Sequence, residues 1–268
     1  MNNWVRPVDS GKSSDHGGTV GKALRVLDLV ADFKRPVRFT RLLEVSPYPK
    51  GTLYRLLQTL TQQGMVAYDP DHQTYSPGIR LVRLAHAAWA QSTLAPLARP
   101  YLDALSSEVG ETIHLAQMDD GQVLYVDKRN ATQPVEMYSQ AGKIGPGYCT
   151  GVGKAMMAYL PDEARAQAVQ KQSFFQHTAH TLPDAAALMA ELDIIRETGV
   201  AFDRQEHELG IICVAAPILS RHHKVLGAMS ITATIQRHTL EELEAFRPAL
   251  WRTAKQIAGA AESWQFPS

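Results

Sequence analysis

Residues 49–60 read Pro49-Lys50-Gly51-Thr52-Leu53-Tyr54-Arg55-Leu56-Leu57-Gln58-Thr59-Leu60, with Gly64 just beyond. Leu53, Leu56, Leu57 and Leu60 fall at i, i+3, i+4 and i+7, a single apolar stripe on a helix. Pro49 suits the first turn, where its missing N–H has no intrahelical acceptor to lose. Gly64 is a natural stop. The stretch therefore predicts a helix to about Gln63, with Lys50, Gly51, Thr52, Tyr54, Arg55 and Gln58 on its polar side.

Upstream, Val20–Phe33 carries Val20, Ala23, Leu24, Leu27 and Ala31 on one face and Val26, Leu29, Val30 and Phe33 on another. A helix apolar on two sides needs two partners: its own core and a second subunit. Arg38–Val45 reads as a short second helix, stopped by Ser46-Pro47. Downstream, Met65–Tyr68 and Thr74–Ser76 flank Asp69-Pro70-Asp71-His72-Gln73, a hairpin with turn-forming residues in its middle. Three helices and a hairpin are the layout of a winged helix-turn-helix, whose third helix enters the major groove of DNA. On that helix Arg55 and Gln58 offer directional contacts to base edges or phosphates. Lys50 offers a point charge, and Tyr54 a hydroxyl on a flat apolar surface. Spacing alone also fits an ordinary three-helix subdomain with a solvated polar face.

The charge balance separates two parts of the chain. Residues 1–80 hold 11 Lys and Arg against 7 Asp and Glu, and residues 81–268 hold 16 against 20. A basic small domain on an acidic larger one suggests that the first meets a polyanion. Residues 1–18 are rich in Gly, Ser and Asp and read as a flexible arm, 19–78 as the winged domain, and 79–92 as a linker helix. In 93–268 a helix from Leu94 to Val109 precedes β-like runs at Thr112–Met118, Gln122–Lys128, Val135–Gln140, Gly199–Asp203, Ile211–Ile218 and Lys224–Thr232. Asp119-Asp120-Gly121 marks a hairpin between the first two. Helical stretches lie at Gly151–Tyr159, Asp162–Val169, Ala185–Thr198 and Leu240–Glu262. Strand pairs with segregated helices predict an α+β domain around an antiparallel sheet.

Hydrophobic residues make up 45% of the 268, enough for a real core, and no run of 18 uninterrupted apolar residues exists to span a membrane. The first residues lack the apolar stretch of a signal peptide. The two cysteines, Cys149 and Cys213, do not form a disulfide framework and fit a reducing cytoplasm.

Several residues of the larger part suit a small polar pocket. Ser230 and Thr232, two apart on one strand, point to one face, and Cys213 on the preceding strand can face them. Gly151 and Gly153 lie at a helix start, where free N–H groups favour a carboxylate or carbonyl oxygen. Asp203 can accept a hydrogen bond from a ligand hydroxyl. Met137, Tyr138, Tyr148 and Cys149 are weaker candidates for its wall. Each also has a plain structural explanation, a buried Cys being usually just a small hydrophobe. For catalysis, Cys213 with His207 imitates a thiol–imidazole pair. No H-E-x-x-H, Cys-x-x-Cys, G-x-S-x-G, Walker A or Rossmann fingerprint accompanies it, so no enzyme, metal or cofactor is expected.

Val20-Gly21-Lys22-Ala23-Leu24-Arg25-Val26-Leu27, the 49–60 stretch, Gly64-Met65-Val66 and Tyr75-Ser76-Pro77-Gly78 together resemble the N-terminal domain of the IclR family of bacterial regulators. The resemblance continues through Thr150-Gly151-Val152-Gly153-Lys154-Ala155, and through Asp203-Arg204-Gln205-Glu206-His207-Glu208-Leu209-Gly210 into Cys213-Val214-Ala215-Ala216-Pro217-Ile218. It covers roughly residues 19–262. The chain departs from the family pattern at Gly51 (usually Ser), Pro47 (usually Gly), Leu43 (usually small) and Thr232 (commonly Ser). The resemblance implies a GAF-like effector-binding domain in which Asp203, Cys213, Ser230 and Thr232 contact ligand. It also implies operator DNA as partner, and a small organic acid, aldehyde or aromatic metabolite as effector. Self-association as a dimer or tetramer follows, with repression of a catabolic operon as the role and activation as the alternative.

Overall fold

The computed structural model describes residues 18–91, 94–133 and 137–263. The arm predicted over 1–18 lies outside them except for Gly18, as does the start of the strand predicted at 135–140. The chain divides into two units after Gln91.

The first unit runs α1 (Thr19–Asp32), β1 (Val37–Arg38), α2 (Phe39–Val45), α3 (Lys50–Gln62), β2 (Val66–Asp69), β3 (Thr74–Pro77) and α4 (Ile79–Gln91). The four leucines of α3 are buried with Val26, Leu27 and Val30 of α1, Leu42 of α2, and Val66 and Tyr75 of the sheet. Burying each such side chain stabilises the unit by about 1.5–3 kcal/mol. Helix α3 ends in a Schellman motif, with Met65 N–H donating to Leu60 O and Gly64 N–H to Thr61 O.

Two expectations change here. Arg38 belongs to a strand rather than to the second helix. The three-stranded antiparallel sheet has the order β1-β3-β2, with Val37 opposite Tyr75 and Arg38 opposite Thr74. β-branched Val37 is buried and Arg38 is extended, so the chain joins the wing before it turns into α2. On α1, Leu27 joins the core and Ala23 packs against it, so within this unit Val20 (74% exposed), Leu24 (51%) and the exposed Ala31 are what remains of the second apolar face.

The second unit runs α5 (Leu94–Val109), β4 (Thr112–Asp119), β5 (Gln122–Arg129), β6 (Ile144–Gly145), α6 (Gly151–Ala158), α7 (Asp162–Gln170) and α8 (Ala185–Thr198). It continues with β7 (Ala201–Arg204), β8 (Ile211–Leu219), β9 (Val225–Thr234), α9 (Leu240–Glu244) and α10 (Arg247–Ser263). Its strands pair antiparallel in the order β6-β5-β4-β9-β8-β7. Asp120 and Gly121, both at positive φ, make the two-residue turn between β4 and β5.

Strand alternation sorts the two faces of this sheet. Ile212, Val214, Ala216 and Ile218 of β8 join Met229 and Ile231 of β9 in a core with residues of α5 and α10. Ala116, Ala201, Ala215 and Ala228 lie in a second core with α6 and α8. The small side chains of this second face let α6 come so close that all eight of its residues are buried.

The predicted helix 240–262 is broken between α9 and α10. Pro248 sits in the first turn of α10, where it lacks no needed donor; inside a continuous helix it would remove one. Residues 137–140 form no strand, although their Met and Tyr suggested one.

Candidate nucleic-acid and ligand sites

Because Leu53, Leu56, Leu57 and Leu60 are turned inward, α3 shows its other side to solvent. Lys50, Gly51, Tyr54, Arg55 and Gln58 are exposed and Thr52 is half-buried. Lys50 and Arg55 make no ion pair or side-chain hydrogen bond among the described residues, and Gln58 Nε2 donates to Tyr54 OH at 3.0 Å. The six predicted residues thus share one helix face. Sequence reasoning missed what lies beside it: a groove of about 650 Å³ between the start of α3 and the wing, to which Arg38, Phe39, Tyr68, Gln73 and Tyr75 also contribute. The Tyr68 and Tyr75 rings pack 4.9 Å apart, and Phe39 meets Tyr54 edge-on at 6.1 Å. Period two along Tyr68 and Thr74–Ser76 gave no hint that their aromatics face the helix.

In the second unit, strand register builds the candidate ligand site. Asp203 stands opposite Cys213 and Cys213 opposite Thr232, while Ser230 stands between Ala215 and His114. Opposed residues of antiparallel strands share a face. Asp203, Cys213, Thr232, Ser230 and His114 therefore lie together, and the first turn of α6 lies over them. A Cβ on Gly151 would come within 2.5 Å of Cys213 Sγ, so only glycine permits this approach. Gly151 lines the resulting cavity with Asp203, Cys213, Ser230 and Thr232. Gly153 does not line it; it packs on Gly147, whose carbonyl oxygen would be 2.4 Å from an added Cβ. Of the weaker candidates Met137 lines the cavity, whereas Tyr148 and Cys149 are buried among the apolar residues of α6 and α8. Tyr138 lies outside, its N–H donating to Glu208 Oε2 at 3.3 Å.

His114 is the residue the sequence concealed. Its ring is buried, with Nδ1 3.2 Å from Thr232 Oγ1 and 3.4 Å from Ser230 Oγ, and Nε2 2.8 Å from Ser139 Oγ. The two strand hydroxyls are themselves 3.2 Å apart. Alternation from Thr112 puts His114 on the Thr face of its strand, which was the available signal; Ser139, 25 residues away, had none.

Burial governs the charges. Desolvation, helped by Lys128, pushes the His114 imidazole down to about 3, so it is neutral at physiological pH. Desolvation and Glu206 raise the Asp203 carboxyl to about 7, against the pull of Lys154. Lys154 of α6 is wholly buried and bonded to Glu206, with Glu191 at 3.5 Å. Desolvation and Asp203 push the Cys213 thiol up, and desolvation and His177 bring His207 down to about 4. The cavity therefore presents rotatable hydroxyls, a neutral imidazole, a carboxyl poised to hold its proton, and the N–H groups of a helix start. Such a set binds a small polar molecule through hydrogen bonds and offers no cationic side chain among the cavity residues named. No group of three or more His, Cys, Asp or Glu among the described residues is arranged to hold a metal. No helix among them is long and apolar enough to cross a membrane.

Comparison with known proteins matches both units. The helix-turn-helix domain model of IclR matches residues 19–70, and the model for the C-terminal domain of the bacterial transcriptional regulator IclR matches residues 86–259. The chain is 29% identical to the HTH-type transcriptional regulator KdgR of Escherichia coli over 260 residues, 97% of this chain and 98% of that one. It is 28% identical to the transcriptional repressor IclR of Escherichia coli over 238 residues, 88% of this chain and 87% of that one. A crystal structure of an IclR homolog from Microbacterium hydrocarbonoxydans, complexed with 4-hydroxybenzoate, shares the fold. Its TM-score is 0.78 at 19% identity, covering 92% of this chain and 100% of that one.

Proposed function

The chain belongs to the IclR family of bacterial transcriptional regulators, which bind DNA, and we propose that it is a cytoplasmic repressor of a catabolic operon whose operator grip is modulated by a small organic acid or carbonyl metabolite. Residues 19–78 are the DNA-binding domain, 79–92 the linker helix and 93–268 the effector-binding domain. Lys50, Gly51, Thr52, Tyr54, Arg55 and Gln58 meet the duplex. Arg55 and Gln58 read base edges, and Lys50 neutralises phosphate. Asp203, Cys213, Ser230, Thr232 and Gly151 meet the effector, while Gly153 lets α6 seat against the 147 turn.

The observation that carries this reading is the row Asp203-Cys213-Thr232, with Ser230 and His114 beside it, that strand register sets under the start of α6 on a face that otherwise packs apolar residues against α6 and α8. A fold needing only a core has no use for that row. An acid group suits the N–H groups of Gly151 and Val152. A carbonyl or hydroxyl suits Ser230, Thr232 and a protonated Asp203. The raised thiol of Cys213 argues against the nucleophile reading, which needs a thiolate.

Two copies read two half-sites of an imperfect palindrome. Val20 and Leu24 of α1, with Ile79 (81% exposed) and Val82 (62%) of α4, supply the apolar surface such pairing needs. Effector shifts the operator equilibrium only by its differential affinity for two arrangements of the protein. The test is retardation of the protein's own upstream region. Arg55→Ala is expected to weaken operator binding and leave ligand binding intact, and Ser230→Ala to do the reverse. Both activities unmoved by both changes would refute the site assignments.

A further inference from the structure

The cavity under α6 holds about 30 Å³, far below the roughly 150 Å³ of a cavity that admits benzene. No organic acid enters without something moving. His114, Cys213, Ser230 and Thr232 are held in strand ladders, and Gly151 lies on a helix buried on every side. Met137 and Ser139, which also line the cavity, sit in neither strand nor helix; so do His207 and Glu208, but their turn is held through Glu206, bonded to Lys154 and, through its N–H, to Asp203 Oδ1. Their segment is tied by side chains: Ser139 Oγ to His114 Nε2 at 2.8 Å, Lys128 Nζ to Ser139 O at 3.0 Å and Lys143 Nζ to Tyr138 O at 2.8 Å. It becomes pinned to the sheet where Gly142 N–H donates to Tyr125 O at 2.7 Å.

We propose that Ser139 occupies on the protein's own chain the place of an effector oxygen, and that His114 is the residue selecting an effector with a hydroxyl or carbonyl beside its acid group, which binds by displacing Ser139. This rests on the cavity being the effector site. A neutral imidazole has one donor and one acceptor nitrogen. The hydroxyls of Ser230 and Thr232 at Nδ1 can rotate to donate or accept, so Nε2 can present either a proton to a carbonyl or a lone pair to a hydroxyl. An acid lacking that oxygen would lift Ser139 away and leave Nε2 buried without a partner. Sites built around a hydrogen bond reject such analogues strongly. Ser139 also competes with every effector, setting a threshold concentration below which the cavity stays shut.

The test uses the full chain as wild type, Ser139→Ala and His114→Phe, with L-lactate and propionate as a probe pair differing by one hydroxyl. Without probe, amide exchange over residues 137–143 is expected to quicken several-fold in Ser139→Ala while the strands keep their protection. Both probes are expected to bind about two- to tenfold more tightly to Ser139→Ala, the size of the one hydrogen bond that no longer competes with them, while the preference for lactate over propionate, read from thermal shift across a concentration series, stays as in wild type and vanishes in His114→Phe. Unchanged exchange or unchanged probe affinity in Ser139→Ala overturns the proposal, and so does a lactate preference that is absent in wild type or survives in His114→Phe. Ser139→Ala and the wild-type lactate preference together decide should His114→Phe fail to fold. Operator retardation by the wild-type chain is scored separately: intact retardation with a negative result here strikes Ser139 alone, and absent retardation strikes the regulator reading itself.

Discussion

Among the described residues, the first unit buries no charged side chain and no Ser, Thr, Asn or Gln, whereas the second buries thirteen polar or charged residues, Lys154, Glu206, Asp203 and His114 among them. The first keeps Lys50 and Arg55 on the outer side of α3, where water solvates them until, on the proposed reading, a polyanion arrives. The second keeps its functional groups where desolvation has already shifted them. In the first unit, then, stability and recognition reside in different side chains, the inward leucines and the outward Lys and Arg. In the second, on the proposed site, the same buried groups serve both. The difference follows from the targets: a phosphate backbone is large and met at the surface, while a small molecule must be enclosed to be recognised.

The largest effect should come from Lys154→Met. It leaves Glu206 and Glu191 without their buried cation, and breaking a buried pair from one side costs about 3–5 kcal/mol. Denaturant unfolding followed by hydrogen exchange should show the loss in residues 94–263, with 18–91 unmoved. Next, Arg55→Ala should cost about 1–3 kcal/mol of operator binding in a retardation titration, with stability changed by less than about 0.5 kcal/mol. Equal losses of stability in both experiments would erase the contrast.

One substitution, placed in each unit, sharpens it. Gly151→Ala forces a Cβ against Cys213 and should destabilise by about 1–3 kcal/mol, as overpacking does. Gly51→Ala, on the open side of α3 with nothing within 4 Å, should stabilise by up to about 1 kcal/mol, because alanine favours helix. Thermal unfolding should move in opposite directions for the two.

The remaining contrast is a pH slope. Asp203 holds its proton to about 7 in the folded state but to about 3.8 when unfolded. Between those values the native state binds more protons, so this group's contribution is full at low pH and is lost as pH rises through 7. His114 and His207, lowered to about 3 and about 4 from 6.5, act oppositely: their contribution falls as pH drops below 6.5. The Asp203 slope is therefore read by difference. The stability of Asp203→Asn minus that of wild type should rise from pH 4 to 7 and then level off.

How much of this was legible in the chain depended on the range of the contacts. The leucine stripe of α3, the Asp120-Gly121 turn and the two-apart Ser230 and Thr232 are local patterns, and each was read directly. Val37–Arg38 is too short for any period to register, so in the sequence Val37 goes unassigned and Arg38 counts in the second helix. The break before α10 was signalled by Pro248, which a continuous apolar pattern through Leu243 and Leu250 outweighed. His114 and Ser139 meet across 25 residues through one hydrogen bond, and no spacing rule reports such a contact. Gly151 and Gly153 looked alike in sequence; only the packing separates the one beside the cavity from the one on Gly147.

The central claim is that the exposed cations of α3 are there for phosphate. The most direct test is operator affinity of the full chain for its own upstream region, measured across a salt series for wild type and Lys50→Ala. The expected result is a log–log plot falling by about 0.9 per phosphate neutralised, shallower by roughly one such unit in the variant. A flat wild-type plot, or no retardation at the lowest salt, would contradict it.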